Sequence, residues 1–307
     1  MNFIGFDTSN YTTSIAYFNG VNGVNCSKLL PVKVGELGLR QSDAVFAHIK
    51  GLPELSGRLF SHISADTIGA VGVSTRPRAV DGSYMPCFMV GYTHAKMLAD
   101  ALRVPLYEFS HQQGHVAASL WSAGHLELMD EPHLAWHLSG GTTELLLVEP
   151  DGKNVRCTRI GGTSDISAGQ LIDRTGKLLD LPFPSGKYID ELSKSAVSRE
   201  VFRVKCPEME FSLSGVQNKV EAFHSSSGDN VETAAYALRC VCTAVLQATK
   251  NALKAYPGLP VVFSGGVASN SMLRRELACL EPVFSQPQFS TDNAMGIAVL
   301  ASRAKEE

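Results

Sequence analysis

Two histidines four residues apart, in the run His111-Gln112-Gln113-Gly114-His115, are the sharpest chemical signal in this 307-residue sequence. If the run is helical, both imidazoles share one face and can ligate one metal ion, and imidazole suits zinc, iron, nickel or copper. A second pair, His133 and His137, lies in the apolar run His133-Leu134-Ala135-Trp136-His137-Leu138, which reads as a strand. Four residues of strand span roughly 13 Å, too far for chelation. A zinc-peptidase reading of the first pair needs a glutamate general base between the ligands. Gln112 occupies that place, and an amide cannot deprotonate bound water.

Glycine-rich turns are the second signal: Ser139-Gly140-Gly141, Gly161-Gly162, and Ser264-Gly265-Gly266 leading to Asn270. Glycines at strand ends let backbone N–H groups approach an anion such as phosphate, and each run equally reads as a tight turn. None is a P-loop or a GxGxxG fingerprint. The third signal is acidic: Asp165, Asp173, Asp190 and Asp292. Asp292 stands just before a final apolar helix, where it reads either as an N-cap or as a third ligand beside the imidazoles.

The elements that must position these groups follow from hydrophobic pattern. Ser110 is a plausible N-cap for a helix opening at His111, after a strand over 106–109. Phe3 to Phe18 reads as a hairpin around the polar turn Asp7 to Thr13. About 130 residues later the pattern returns around Ser139 to Thr143, and both turns end Thr-Thr before an apolar strand. This predicts a duplicated, two-lobed architecture. Strands are expected over 70–74 and 260–263, and helices over 89–102, 168–179, 231–256 and from the Ser264 turn through Leu280. The alternation predicts an α/β protein with central mixed sheets. Ser225 to Asn230 is expected to form a mobile loop.

Composition narrows the function classes. Lys and Arg number 27 against 30 Asp and Glu, a net charge of −3, so no bulk positive field draws nucleic acid, and a local basic patch stays open. No apolar run reaches the 18 or so residues that a bilayer span needs, and the start of the chain does not read as a secretory signal. A cytosolic setting is expected, with no membrane partner. The seven cysteines contain no CxxC pair, which argues against a disulfide framework or a cysteine-rich zinc site.

Taken in order, GFDTSNYTTS (5–14), HQQGH (111–115), LSGGTTEL (138–145), SAGQLIDRTGKLL (167–179), PSG (184–186), FSLSGVQ (211–217), SGGVASNSMLR (264–274) and STDNAMGIA (290–298) resemble the motifs of the TsaD/Gcp family of tRNA threonylcarbamoyltransferases. The resemblance implies an actin-like ATPase (sugar kinase/actin) fold. Its two lobes would cover 1–106 and 107–292, each built on a five-stranded sheet, with helix 293–307 packing back on the first and nucleotide in a central cleft. It implies one divalent metal ion, iron or zinc, on His111, His115 and Asp292. ATP or an acyl-adenylate would be held by His137, Leu138, Ser139, Gly140, Gly141, Asp173, Gly186, Gly265, Gly266 and Asn270. The implied reaction is transfer of threonylcarbamoyl from its adenylate to adenosine N6 of tRNA, with a smaller actin-like companion subunit.

The departures are as informative. Where the family has an Asp-Glu pair in the first hairpin, this chain has Tyr11 and Thr12, and a phenol with a pKa near 10 is a poor replacement base. Gln170 replaces a glutamate, Thr142 a histidine, and Arg76-Pro77-Arg78 a Gly-Pro-Gly loop. Three readings follow: a threonylcarbamoyl transferase; a catalytically altered paralogue serving as a nucleotide-binding regulatory or scaffold subunit; or a carbamoyl transferase acting on a small molecule.

Overall fold

A computed structural model describes residues 1–31 and 39–306. In chain order its elements are β1 (Asn2–Thr8), β2 (Thr12–Phe18), β3 (Gly23–Leu29), α1 (Gln41–Phe60), β4 (Ile68–Arg76), α2 (Phe88–Leu102), β5 (Leu106–Ser110) and α3 (His111–Ala123). Then come β6 (His133–Leu138), β7 (Thr143–Asp151), β8 (Asn154–Thr163), α4 (Ala168–Leu178), α5 (Gly186–Ser193), β9 (Glu210–Phe211) and α6 (Ser214–Ser227). The last are α7 (Asn230–Ala255), β10 (Val261–Ser264), α8 (Ser271–Leu277), β11 (Val283–Phe284) and α9 (Met295–Lys305).

Both polar turns close hairpins, β1 on β2 and β6 on β7. The first sheet has the order β3-β2-β1-β4-β5, with β4 and β5 parallel to β1. In the second, β8-β7-β6-β10-β11 repeats that order, so the duplication read from two turns extends to whole sheets. The second sheet carries a sixth strand, β9, where five were implied, because Glu210 and Phe211 pair with Gly162 and Thr163.

The chain divides into two units, and the division corrects the expected boundary after residue 106. Unit 1 is Met1–Glu131, Glu149–Cys157 and Asp292–Glu307; unit 2 is Pro132–Val148 and Thr158–Thr291. The histidine helix α3 therefore belongs with the first sheet. Its reason is backbone packing of α3 on α9: a Cβ added to Gly296 would lie 1.8 Å from the Gly114 carbonyl oxygen, so only glycine permits the approach.

Side-chain alternation in β1 sets up the rest of unit 1. Ile4 and Phe6 point into a core with Leu52, Leu55 and Leu59 of α1 and Val90 of α2. Gly5 and Asp7 share the opposite face, where a Cβ on Gly5 would come within 2.4 Å of the Ala294 carbonyl oxygen. The sheet thus has a smooth seat for the start of α9, with Asp7 at its edge. In unit 2 the fully buried Trp136 of β6 donates its indole N–H to Thr249 of α7 at 2.9 Å and stacks on Phe263 of β10.

Two further expectations are corrected. Helix α6 continues through Ser227, with the Ser225 and Ser226 hydroxyls donating to the Glu221 and Phe223 carbonyls, so the serines fold into the helix. Gly228 ends it at φ 60°, and Asp229 caps α7 by accepting from the Val231 and Glu232 N–H groups. After Ser264 the chain makes a 3-10 turn, Gly266–Ser269, and restarts as α8 only at the Asn270 cap, because Gly265 with φ 92° breaks the direction.

Candidate functional site

The histidine run is a helix for a local reason. Ser110 accepts the Gln113 N–H on its hydroxyl while the Gln113 side chain accepts the Ser110 N–H, a complete capping box. This starts the helix at His111 and brings the two rings onto one face, with Nε2 atoms facing each other at 3.0 Å. Asp292 reaches them from the segment before α9: its Oδ1 lies 3.2 Å from His115 Nε2 and 3.5 Å from His111 Nε2. It does not cap α9; Asn293 accepts the Met295 N–H instead. The three ligand atoms lie within 4.8 Å of one another and all belong to unit 1.

The donor set fits a metal ion. Two imidazole nitrogens and a carboxylate oxygen converge, and two facing nitrogens that both lack a proton repel unless a cation or a shared proton sits between them. Asp7 decides which His111 nitrogen is available. His111 Nδ1–H donates to Asp7 Oδ2 at 2.7 Å, which turns Nε2 toward His115 and Asp292. A carboxylate behind a histidine ligand fixes its tautomer and raises its basicity. Burial disfavours the His111 cation, but the charges of Asp7 and Asp292 and their hydrogen bonds outweigh it and raise this imidazole well above the ordinary range. Burial likewise opposes the Asp292 anion, yet hydrogen bonds from the two imidazoles and their charge hold its carboxyl well below the usual range. Asp7 joins this cluster through His111, and motif reading passed over it. Its signal was a carboxylate ending an apolar strand on the same face as Gly5.

In the turn that follows, Tyr11 is 45% exposed and Thr12 only 5% exposed, so no carboxylate stands at either position and only the phenol reaches solvent.

Unit 2 gathers most of the remaining predicted residues at strand ends. In the turn between β6 and β7, Thr142 N–H donates to the Ser139 hydroxyl and the Gly140 carbonyl accepts from Ser167, the N-cap of α4. Gln170 completes that cap by accepting the Ser167 N–H at 3.2 Å, which is what its side chain does in place of an acid. Gly265 lies against the same turn, with a would-be Cβ 2.1 Å from the Leu138 carbonyl oxygen. Asp173 accepts the Ser185 N–H at 2.7 Å and so fixes the loop that opens α5 at Gly186; burial raises its carboxyl, and the Ser185 bond partly offsets this. Asp190 of α5 accepts from the Ser271 N–H and hydroxyl, tying α5 to the residue after Asn270. Asn270 caps α8 by accepting the Leu273 N–H. His137 sits at the end of β6 with its Nδ1 3.4 Å from the Ser264 hydroxyl. Asp165 is a structural cap: it accepts from Ser212, Leu213 and Ser214 at the start of α6, and those bonds hold its carboxyl far below the usual range despite partial burial.

Space decides which glycines the fold itself requires. A Cβ at Gly140, Gly141, Gly186 or Gly266 would meet nothing within 4 Å, and none has the positive φ that favours glycine. Packing does not demand glycine there, and the open backbone is what an approaching anionic group uses.

The fold and the two sets of loops define a class, the actin-like ATPase and sugar-kinase fold. The chain is similar in structure to full-length HypF in a phosphate- and nucleotide-bound form, with TM-score 0.61 and 15% identity over 99% of this chain and 55% of that one. It is also similar to a ROK family glucokinase from Streptomyces griseus in complex with glucose and AMPPNP, with TM-score 0.54 and 10% identity over the whole of both chains. At such identities the likeness shows the fold alone. Residues 40–299 match the family described as TsaD: tRNA N6-adenosine threonylcarbamoyltransferase. A tRNA N6-adenosine threonylcarbamoyltransferase of Carboxydothermus hydrogenoformans is 32% identical over 262 residues, 82% of this chain and 75% of the relative. One of Thermosipho africanus is 30% identical over 317 aligned positions, covering 96% and 92%. The chain belongs to the TsaD family.

Proposed function

We propose that this protein is a metal- and nucleotide-binding transferase that moves a threonylcarbamoyl group from its adenylate to adenosine N6 of tRNA. The observation that carries the reading is the convergence of His111, His115 and Asp292 in a chain of this family. A zinc or iron ion held by those residues would supply Lewis acidity toward a phosphate or carbamoyl oxygen. Asp7 holds the Nδ1–H of His111 and so turns Nε2 toward the place of the ion, which would replace the Nε2 proton on binding. In unit 2 the backbone of Gly140, Gly141, Gly186 and Gly266, with His137, Leu138, Ser139, Asp173, Gly265 and Asn270 around it, is the candidate holder of ATP or the acyl-adenylate phosphates. The setting is the cytosol, and the partners are tRNA and a smaller actin-like companion subunit.

Tyr11 and Thr12 favour a second reading. The attacking amine must lose a proton, and a turn with a phenol and a buried hydroxyl offers it no carboxylate. Under that reading the chain binds metal and nucleotide as a regulatory or scaffold subunit, or carbamoylates a small molecule. The deciding experiment supplies ATP, labelled threonine and bicarbonate, a threonylcarbamoyl-adenylate synthase and unmodified tRNA, with and without companion subunits. Labelled tRNA supports the transferase. No product, with nucleotide binding intact, overturns it in favour of the second reading.

A further inference from the structure

Ser9 sits between the two carboxylates of the metal centre and touches both. Its backbone N–H donates to Asp7 Oδ1 at 3.1 Å, and its hydroxyl donates to Asp292 Oδ2 at 3.0 Å. The other oxygen of each carboxylate faces the histidines: Asp7 Oδ2 accepts from His111, and Asp292 Oδ1 lies beside both Nε2 atoms. One residue thereby occupies the outward oxygen of two acids that lie 285 positions apart in the sequence. With one oxygen accepting from Ser9, the Asp292 carboxylate is oriented with its other oxygen toward the imidazoles.

The turn carrying Ser9 is itself fastened from α1. Gln41 donates to the Asn10 side chain at 2.6 Å, and seven residues along the helix His48 Nδ1 meets the Thr13 hydroxyl at 2.8 Å. A spacing of seven is two helical turns, so both groups project from one face. His48 is fully buried, its Nε2 forms no hydrogen bond, and burial holds its pKa below the ordinary histidine value, consistent with a neutral ring fixed in place. Ser9 is 4% exposed, so its hydroxyl has little water to exchange with.

We propose that Ser9 is the positioning residue of the metal centre, orienting the Asp292 carboxylate so that one oxygen faces the imidazoles while holding Asp7 behind His111. The inference rests on the metal reading above. It implies that the length and anchoring of the 9–13 turn matter to metal binding even though none of its residues is a ligand.

The test measures zinc affinity by competition with a chromophoric chelator, and the visible absorption of the cobalt(II)-substituted protein, for the wild-type chain and Ser9→Ala. Alanine removes the hydroxyl and keeps the backbone N–H. We expect affinity to fall by about tenfold to hundredfold, the cobalt band to shift, and the metal-free protein to stay folded with a modestly lowered melting temperature. Ser9→Thr retains the hydroxyl and should recover most of the affinity. Equal affinity and an identical cobalt spectrum in Ser9→Ala overturn the proposal, as does a metal-free Ser9→Thr chain that is folded yet as weak as Ser9→Ala. A wild-type chain that binds neither ion overturns the metal reading and this inference together. A wild type that binds while Ser9→Ala binds equally well overturns this inference alone.

Discussion

The two hairpin turns occupy the same place in duplicated sheets, and they are chemically opposite. In unit 1 the end of β1 and the turn after it work through side chains: Asp7 accepts from His111, and the Ser9 hydroxyl donates to Asp292. In unit 2 the turn after β6 is Ser139-Gly140-Gly141, with open space where side chains would stand. A strand end that carries a carboxylate favours a cation, and backbone N–H groups with open space before them favour an anion. The repeated backbone path thus carries different chemical groups at the two turns.

The comparison breaks most readily at the unit 1 centre. His111→Ala removes a ligand and should weaken zinc binding by more than about a hundredfold, beyond the range expected for a residue that acts through a ligand; chelator competition reads it. In unit 2 the strongest test is Gly265→Ala, which forces φ 92° on a residue with a Cβ and drives that atom toward the Leu138 carbonyl. It should cost about 2–3 kcal/mol, read as a lowered denaturant midpoint.

Next in size is a pH effect confined to unit 1. Between the ordinary histidine value near 6.5 and the raised value of His111, the metal-free protein carries a proton there that zinc must displace. Zinc affinity should therefore fall about tenfold for each unit of pH lowered within that window, as titrations at several pH values would show. The same raised pKa gives the metal-free protein a stabilising contribution that is fully present below about pH 6.5 and is lost as pH rises through the raised value. Its melting temperature should drop across that range. Zinc should remove the dependence.

The smallest expected effect sharpens the contrast best. Gly140→Ala meets open space at an ordinary φ, so stability should change by less than about 0.5 kcal/mol, while the melting shift produced by ATP should disappear. An ATP shift equal to wild type would assign Gly140 to turn formation only.

Local signals carried much of this structure. The α3 capping box lies within four residues, and the antiparallel hairpins within sixteen, so periodicity and cap chemistry were enough to find them. What pattern alone could not supply was distance in sequence. Asp292 looked equally like a helix cap, and Asp7 and Ser9 looked like turn residues, because each is defined by partners 104 and 283 positions away. The unit boundary was misread for the same reason: α3 follows β5 without a break, and only its packing on α9 assigns it to the first sheet. Ser225 and Ser226 misled through composition, since their hydroxyls donate to carbonyls of the preceding helical turn.

Unit 1 is discontinuous, and the proposed ligands His111, His115 and Asp292 straddle the whole of unit 2 in the chain. During synthesis Asp7, His111 and His115 emerge long before Asp292, and the α9 seat over Gly5 stays empty until all of unit 2 has been made. A nascent chain thus holds two imidazoles without their carboxylate, a weaker and less selective binder. If these residues hold the ion as proposed, the complete donor set exists only once the chain has passed residue 292.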